Sequence, residues 1–300
     1  MSWIDAAILS PIIVGVASIL ESHVLSRRVE SSRVFFLAAA PLNLIVWLLL
    51  FYLFPVPDSV SVWVWLVAIA SGLFRASGVA FMFYAMRKGE VSQIIPVVFT
   101  YPVFVAIMAV LLLGETLSYL QWLAIFIVVA GAIMVSFKKS PSGSTAWLGK
   151  TLLILLGASI FIAMADVAAK YALAYMSSWS MVAFNRLGFV IVFSAISVRP
   201  SVFKELASMK RKHTTIPLIY LSETIAMIGI AFLLWALESG PVSLVSTIAG
   251  SRPIFVAMYT LILSRISPQF LIWSGGKWMW ALRLVATAMI VVGITIIYLS

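Results

Sequence analysis

Ionisable side chains inside long apolar segments are the residues of this chain whose types could do chemistry. Arg75, Glu223 and Arg252 lie near the middle of such segments, and Glu21 and Asp166 lie away from the middle. A charged group costs about 2.5–3.5 kcal/mol in the centre of a bilayer on insertion scales, so its presence needs a reason. An arginine pair could grip a carboxylate or phosphate, and a carboxylate could bind an ammonium group or carry a coupling proton.

Other residues extend this candidate site. The predicted substrate-binding set is Arg75, Tyr84, Tyr101, Glu223, Trp235, Arg252, Asn43 and Asn185, and the predicted proton-carrying or coupling set is Glu21, Asp166 and Glu223. The aromatic residues could stack on a substrate. The two asparagines could bind substrate, although such residues more often join helix to helix, which we favour. The competing interpretation of the charges is a structural ion pair, such as Arg75 with Glu223, which leaves Arg252 without an evident partner.

Two prolines, Pro102 and Pro253, fall at corresponding points of two apolar segments. Proline removes a backbone donor and interrupts a helix, so these residues could form hinges or free carbonyl groups for a ligand. Proline is also common in membrane helices that give it no special role.

The composition indicates an integral membrane protein that must be helical. The 300 residues are 63% hydrophobic and 10% charged, with a mean hydropathy of +1.14. Continuous apolar runs favour helices over a β-barrel, and the first run is interpreted as a span rather than a signal peptide. The predicted spans are about 4–25, 34–54, 61–86, 92–113, 118–137, 149–172, 180–198, 215–237, 242–263 and 279–299.

Basic residues predict the orientation of these spans. Outside the apolar runs they occupy alternate connections, with Lys170 the only ambiguous case. The protein is predicted to lie in the cell inner (plasma) membrane. By the positive-inside rule these connections are on its cytoplasmic side and both termini are on its outer side. The net charge of +10 is therefore interpreted as that of basic residues which set the orientation in the membrane, and not as a sign of nucleic-acid binding. The basic residues are Arg27, Arg28, Arg33, Arg87, Lys88, Lys138, Lys139, Lys150, Arg199, Lys204, Lys210, Arg211, Lys212, Arg265 and Lys277.

The two halves of the chain resemble each other. Residues 89–105 align without a gap on residues 240–256, so that Pro102 meets Pro253. Other matches pair Gly78 with Gly229, Gly131 with Gly293 and Asn43 with Asn185. Five spans per half place the halves in opposite orientations, the inverted-repeat architecture of alternating-access transporters. We expect ten transmembrane helices as two inverted five-helix repeats, 1–140 and 141–300.

Signals for enzymatic chemistry are weak. His23 and His213 stand far apart, cysteine is absent, and no cluster has metal-ligand spacing. The sequence also has no glycine-rich phosphate loop or nucleophile elbow. We therefore predict no enzyme activity, no metal, no cofactor and no nucleic-acid partner.

Three stretches resemble the drug/metabolite transporter superfamily, specifically ten-helix proteins of two EamA-like repeats. They are residues 89–104, the segment Leu111-Leu-Leu-Gly-Glu-Thr-Leu-Ser-Tyr-Leu-Gln-Trp-Leu-Ala, and residues 128–135. In the second half, Leu263-Ser-Arg-Ile-Ser replaces the Gly-Glu turn that contains Glu115, and Arg283 stands where Gln121 does. The resemblance implies a central cavity formed by spans one, three, four, six, eight and nine. Small multidrug resistance relatives use a first-helix glutamate, a role that falls on Glu21.

The resemblance implies secondary transport of small organic solutes, often export. We expect a transporter, in the export direction, of a small polar or zwitterionic metabolite such as an amino acid, present as a monomer or homodimer in the lipid bilayer. An exchanger of organic anions or phosphorylated metabolites is the alternative, favoured by the central excess of arginine over Glu223. A non-transporting scaffold or lipid-handling protein is the second alternative.

Overall fold

A computed structural model describes residues 1–88, 97–136, 148–209, 211–266 and 277–299, and its regular elements there are helices. The predicted polar linker at 138–145, the start of the fourth span and most of the last connection lie outside these residues. The helices are α1 (Trp3–Arg27), α2 (Ser32–Leu53), α3 (Val62–Lys88), α4 (Tyr101–Leu113), α5 (Tyr119–Ser136), α6 (Leu148–Leu173), α7 (Ser178–Ser197), α8 (Pro200–Ser208), α9 (Lys212–Ser239), α10 (Val242–Ala249), α11 (Arg252–Ile266) and α12 (Lys277–Leu299).

Most of these helices suit a bilayer. In the described part of the chain, seven helical segments are long and apolar enough to cross a membrane, and three more are apolar but shorter. Large side chains such as Leu111, Tyr119 and Leu284 are exposed on the surface, as expected where lipid is the solvent. The predicted all-helical membrane class is confirmed, and the count of ten inverted spans stays a prediction.

The ninth predicted span is not continuous. Helix α10 ends at Ala249, Gly250 and Ser251 form a turn, and α11 begins at Arg252. The fourth span has a similar turn before α4 begins. Pro102 and Pro253 are each the second residue of the helix that follows, where a missing N–H breaks no helical bond. The breaks therefore precede the two prolines and do not fall at them, and the role of Pro102 and Pro253 as hinges stays a prediction.

The main contacts pair helices of the first half with helices of the second half. The most extensive contacts are those of α1 with α9, α3 with α6, α2 with α7 and α5 with α12. If α1, α2, α3 and α5 correspond to α6, α7, α9 and α12, exchanging the halves turns the α1–α9 pair into the α3–α6 pair and leaves the α2–α7 and α5–α12 pairs as they are. This pattern is the one expected of two equivalent halves.

The matched glycines lie at equivalent crossings. A Cβ on Gly131 would lie 2.9 Å from the carbonyl oxygen of Ala286, and a Cβ on Gly293 would lie 3.1 Å from that of Ala124. Both glycines sit where α5 and α12 touch, and each lets the facing backbone approach. Gly78 and Gly229 do the same where α3 meets α6 and α9 meets α1. Close approach through small residues is how helices associate in lipid.

The end of the bundle that contains Glu115, here the Glu115 end, is held together by two charged side chains. The Glu115 carboxylate accepts hydrogen bonds from the Val242 amide at 2.6 Å and the Ser243 hydroxyl at 2.5 Å, so it caps the start of α10. Lys170 Nζ donates to the carbonyl oxygens of Leu237 at 2.7 Å and Gly240 at 2.9 Å. Each charge has the sign that suits its helix end. The turn between α9 and α10 is thereby fixed to the rest of the bundle.

The opposite end, here the basic end, joins α1 and α2 to the second half. Arg28 donates to the Thr214 hydroxyl at 3.5 Å, and the Ser31 hydroxyl donates to Glu205 at 3.0 Å. Arg199 and Arg211, which flank α8, belong to the same end. The described basic connections therefore meet at one end, and which side of a membrane it faces stays a prediction.

The glycine crossings predict a stability difference between matched substitutions. Gly131→Ala should lower the free energy of unfolding by roughly 1–3 kcal/mol, because overpacking a tight contact costs that amount. Gly157→Ala on α6 is the control, since a Cβ there would meet nothing within 4 Å. Thermal unfolding in detergent measures both. Equal melting temperatures for the two variants would contradict the close α5–α12 packing.

Candidate functional site

Most of the predicted charged residues meet in one buried cavity, here the central cavity, of about 70 Å³. It lies among α1, α3, α6, α7, α9 and the start of α4 and of α11. Its polar lining is Glu21, Arg75, Tyr101, Arg186, Glu223 and Arg252, and its other walls are apolar side chains such as Val79, Phe99 and Ile230. Charges that are remote in sequence thus face a common space.

Arg75 on α3 pairs with Asp166 on α6. The Arg75 guanidinium donates to one Asp166 oxygen, and the Ser246 hydroxyl donates to the other at 2.7 Å. Both charged side chains are buried, with exposed fractions of 6% and 0%. The structure therefore pairs Arg75 with Asp166 and not with Glu223, and Asp166 lies behind the cavity wall. Because Ser246 belongs to α10, this ion pair also positions the broken helix.

A second buried pair joins Arg186 on α7 to Glu223 on α9, with 3.7 Å between nitrogen and oxygen. Asn43 bridges it, accepting from Arg186 at 3.0 Å and donating to Glu223 at 3.2 Å. Asn185 accepts from the other guanidinium nitrogen at 2.9 Å. Asn43 therefore links α2 to α7 and α9, whereas Asn185 supports Arg186 within α7. A role of either asparagine in binding substrate stays a prediction.

Arg186 is the cavity residue that the predicted set missed. The signal was present, because Arg186 is a cation in an apolar segment and directly follows Asn185. Its guanidinium also lies 4.6 Å from the centroid of the Phe189 ring, an arrangement that attracts a cation to the ring face.

Arg252 and Glu21 are left without partners of this kind. Arg252 Nε is buried and donates no hydrogen bond to the described residues, and its guanidinium lies 5.6 Å from the Phe99 ring centroid. Glu21 interacts electrostatically with Arg252 and Glu223, but forms no ion pair within 4.0 Å in the described part of the chain. The cavity therefore offers one cation and one carboxylate to a ligand.

Tyr101 is committed to the broken helix, because its hydroxyl donates to the Ser246 carbonyl oxygen at 3.1 Å. The other two predicted aromatic residues lie outside the central cavity: Tyr84 is 42% exposed and Trp235 is 37% exposed. Tyr84 follows Arg75 by nine residues, and about 100° per residue turns it to the opposite face of α3. Neither residue contacts a ligand in the central cavity in this arrangement.

The Arg75–Asp166 pair predicts strong coupling in a double-mutant cycle. Arg75→Gln or Asp166→Asn should each lower stability by about 3–5 kcal/mol, because either change leaves its partner buried without a counter-charge. The double variant should lose clearly less than the sum of the two losses. Denaturant or thermal unfolding of the three purified variants measures this. Additive losses would show that the two side chains are not energetically paired.

Comparisons with known proteins agree with this architecture. Residues 1–137 match the EamA-like transporter family. A Sinorhizobium protein described as an uncharacterized transporter in the cobO 3' region is 31% identical over 80 residues, which are 27% of this chain and 57% of that protein. A solved crystal structure of a protein covers 99% of this chain and 95% of its own, with a TM-score of 0.66 and 18% identity, a likeness of fold alone. The expected resemblance to EamA-like transporters is thereby confirmed for residues 1–137 of this multi-pass membrane protein.

Proposed function

We propose that this chain is a secondary transporter of a small zwitterionic metabolite, such as an amino acid, in the export direction. Two halves, 1–140 and 141–300, in opposite orientations give alternating access to the central cavity. The basic end faces the cytoplasm and the Glu115 end faces outside. Support comes from the EamA-like match of the first half, from the equivalent helix contacts and from the charged cavity between the halves.

The charge balance of the cavity carries the choice of substrate. Three cations, Arg75, Arg186 and Arg252, face three carboxylates, and four of these six groups are joined in two ion pairs. The remaining Arg252 and Glu21 bind the carboxylate and the ammonium of one ligand. A zwitterion satisfies both groups, whereas an anion leaves Glu21 unpaired in a buried site, which is costly.

The size and walls of the cavity limit the ligand. A volume of about 70 Å³ is far below the roughly 300–1,000 Å³ of pockets for drug-sized ligands. A small solute fits this volume, as expected of a site that is largely closed in one stage of an alternating-access cycle. The apolar walls, including Val79 and Ile230, suit an aliphatic side chain better than a sugar phosphate.

Flux measurements test this proposal. A thermal-shift panel of metabolites first identifies a ligand, since binding to the folded state alone raises the melting temperature. In proteoliposomes, Arg252→Gln and Glu21→Gln should each lower apparent affinity for that amino acid about 10- to 100-fold, because hydrogen bonds to charged groups contribute about 1.5–3 kcal/mol. Tyr84→Phe, outside the cavity, is the control and should transport normally.

Other outcomes point to the alternatives. If Arg252→Ala abolishes anion flux and Glu21→Gln has no effect on it, the protein is an exchanger of organic anions. Absence of saturable flux for every solute on the panel identifies a scaffold or lipid-handling protein.

A further inference from the structure

A second cavity lies against the outer faces of the helices that carry the Asn43–Arg186–Glu223 network. This side cavity has a volume of about 760 Å³ and opens between α2, α7 and α9. Its walls include Leu50, Trp179, Val182, Met227 and Trp235. These residues lie toward the Glu115 end. Helix α2 starts at the basic end and finishes at the Glu115 end, where Ser180 on α7 donates to the Phe54 carbonyl oxygen just after α2.

Helical register places the network between the two cavities. On α9, Glu223 and Ala226 line the central cavity, whereas Met227, one turn beyond Glu223, lines the side cavity. On α7, Phe189 lines the central cavity and Val182, one turn before Arg186, lines the side cavity. On α2, Leu50 follows Asn43 by two turns toward the side cavity. All three network residues therefore sit where one cavity ends and the other begins.

The network closes this boundary with polar groups that bond to one another. Asn43, Arg186 and Glu223 are 2%, 2% and 5% exposed, and their contacts of 3.0, 3.2 and 3.7 Å tie α2, α7 and α9 together. Packing of α9 against α2 is otherwise slight, whereas the corresponding contact of α3 with α7 is extensive. The passage between α2 and α9 is therefore closed chiefly by these side chains and not by helix packing.

We propose that the Asn43–Arg186–Glu223 network is a gate between the side cavity and the central cavity, and that the side cavity is a vestibule at the Glu115 end. Separating the three side chains joins the two spaces without moving a packed helix interface. The role of the vestibule as the path of a zwitterion rests on the proposed function. There the ligand carboxylate binds Arg186 and the ligand ammonium binds Glu223 while the ligand passes, so that neither side chain is left without a counter-charge.

Single-cysteine labelling tests the gate without any ligand. The chain contains no cysteine, so Ala226→Cys reports the central cavity and Ala231→Cys reports the side cavity, with no native thiol to remove. A membrane-impermeant maleimide is added to intact cells. The thiol introduced by Ala231→Cys should react rapidly, and that introduced by Ala226→Cys should react at least tenfold more slowly.

Gate variants are then combined with each reporter. Asn43→Ala should raise labelling of the Ala226→Cys thiol at least tenfold and leave labelling of the Ala231→Cys thiol unchanged. Glu223→Gln, which keeps the side-chain shape, should also raise labelling of the Ala226→Cys thiol. It replaces Asn43→Ala as the gate variant if the latter does not fold. Ser222→Ala is the matched control, because Ser222 is buried on the same helix and, among the described residues, its hydroxyl bonds only to Ile219 within that helix.

Three results would overturn the gate. They are rapid labelling of the Ala226→Cys thiol in the otherwise native protein, no acceleration in either gate variant, and equal acceleration with Ser222→Ala. An Ala231→Cys thiol that resists the external reagent would refute the vestibule. Because none of these readouts requires transport, failure of the gate is distinguishable from failure of the proposed zwitterion flux.

Discussion

Neutralising buried charge is the constraint on which the rest of this structure depends. In the described part of the chain, three arginines and three carboxylates lie at or next to the central cavity of a bundle whose surface is apolar, and unpaired charge in such a medium is expensive. Two ion pairs meet most of this demand, and each uses helices that are distant in sequence: Arg75 with Asp166 joins α3 to α6, and Arg186 with Glu223 joins α7 to α9. The charges that could serve a ligand therefore also fix how the helices meet.

The broken helix is the second feature that these charges organise. Helix α10 is only eight residues long, and both of its ends are tied to other elements. Glu115 caps its start, and Ser246 near its other end binds Asp166 and Tyr101. The break that follows places Arg252 at the cavity, at the start of a new helix. A movement of α10 would therefore shift both the Arg75–Asp166 ion pair and Arg252. Such coupled displacement suits a transporter that works by helix movement.

The sequence predicts which charged residues line the central cavity better than it predicts how they pair. Charges inside apolar runs identify Arg75, Glu223 and Arg252 because burial of charge is visible in composition alone. Their partners depend on the rotation of each helix and on contacts between distant segments, so the Arg75–Asp166 pair was not foreseen. That Tyr84 lies outside the central cavity could not be predicted for the same reason, since the sequence indicates its span but not the face of the helix. The break before Pro253 was missed because hydropathy does not distinguish one helix from two in line.

Calorimetric titration of the purified protein tests the central claim most directly. An amino acid that the panel identifies is compared with its methyl ester, which lacks the carboxylate charge, and with its N-acetyl derivative, which lacks the ammonium. If Arg252 and Glu21 form a paired site for opposite charges, the zwitterion binds and both derivatives bind at least tenfold more weakly. Equal binding of the zwitterion and the N-acetyl derivative would contradict a role for Glu21 and with it the balanced-charge site.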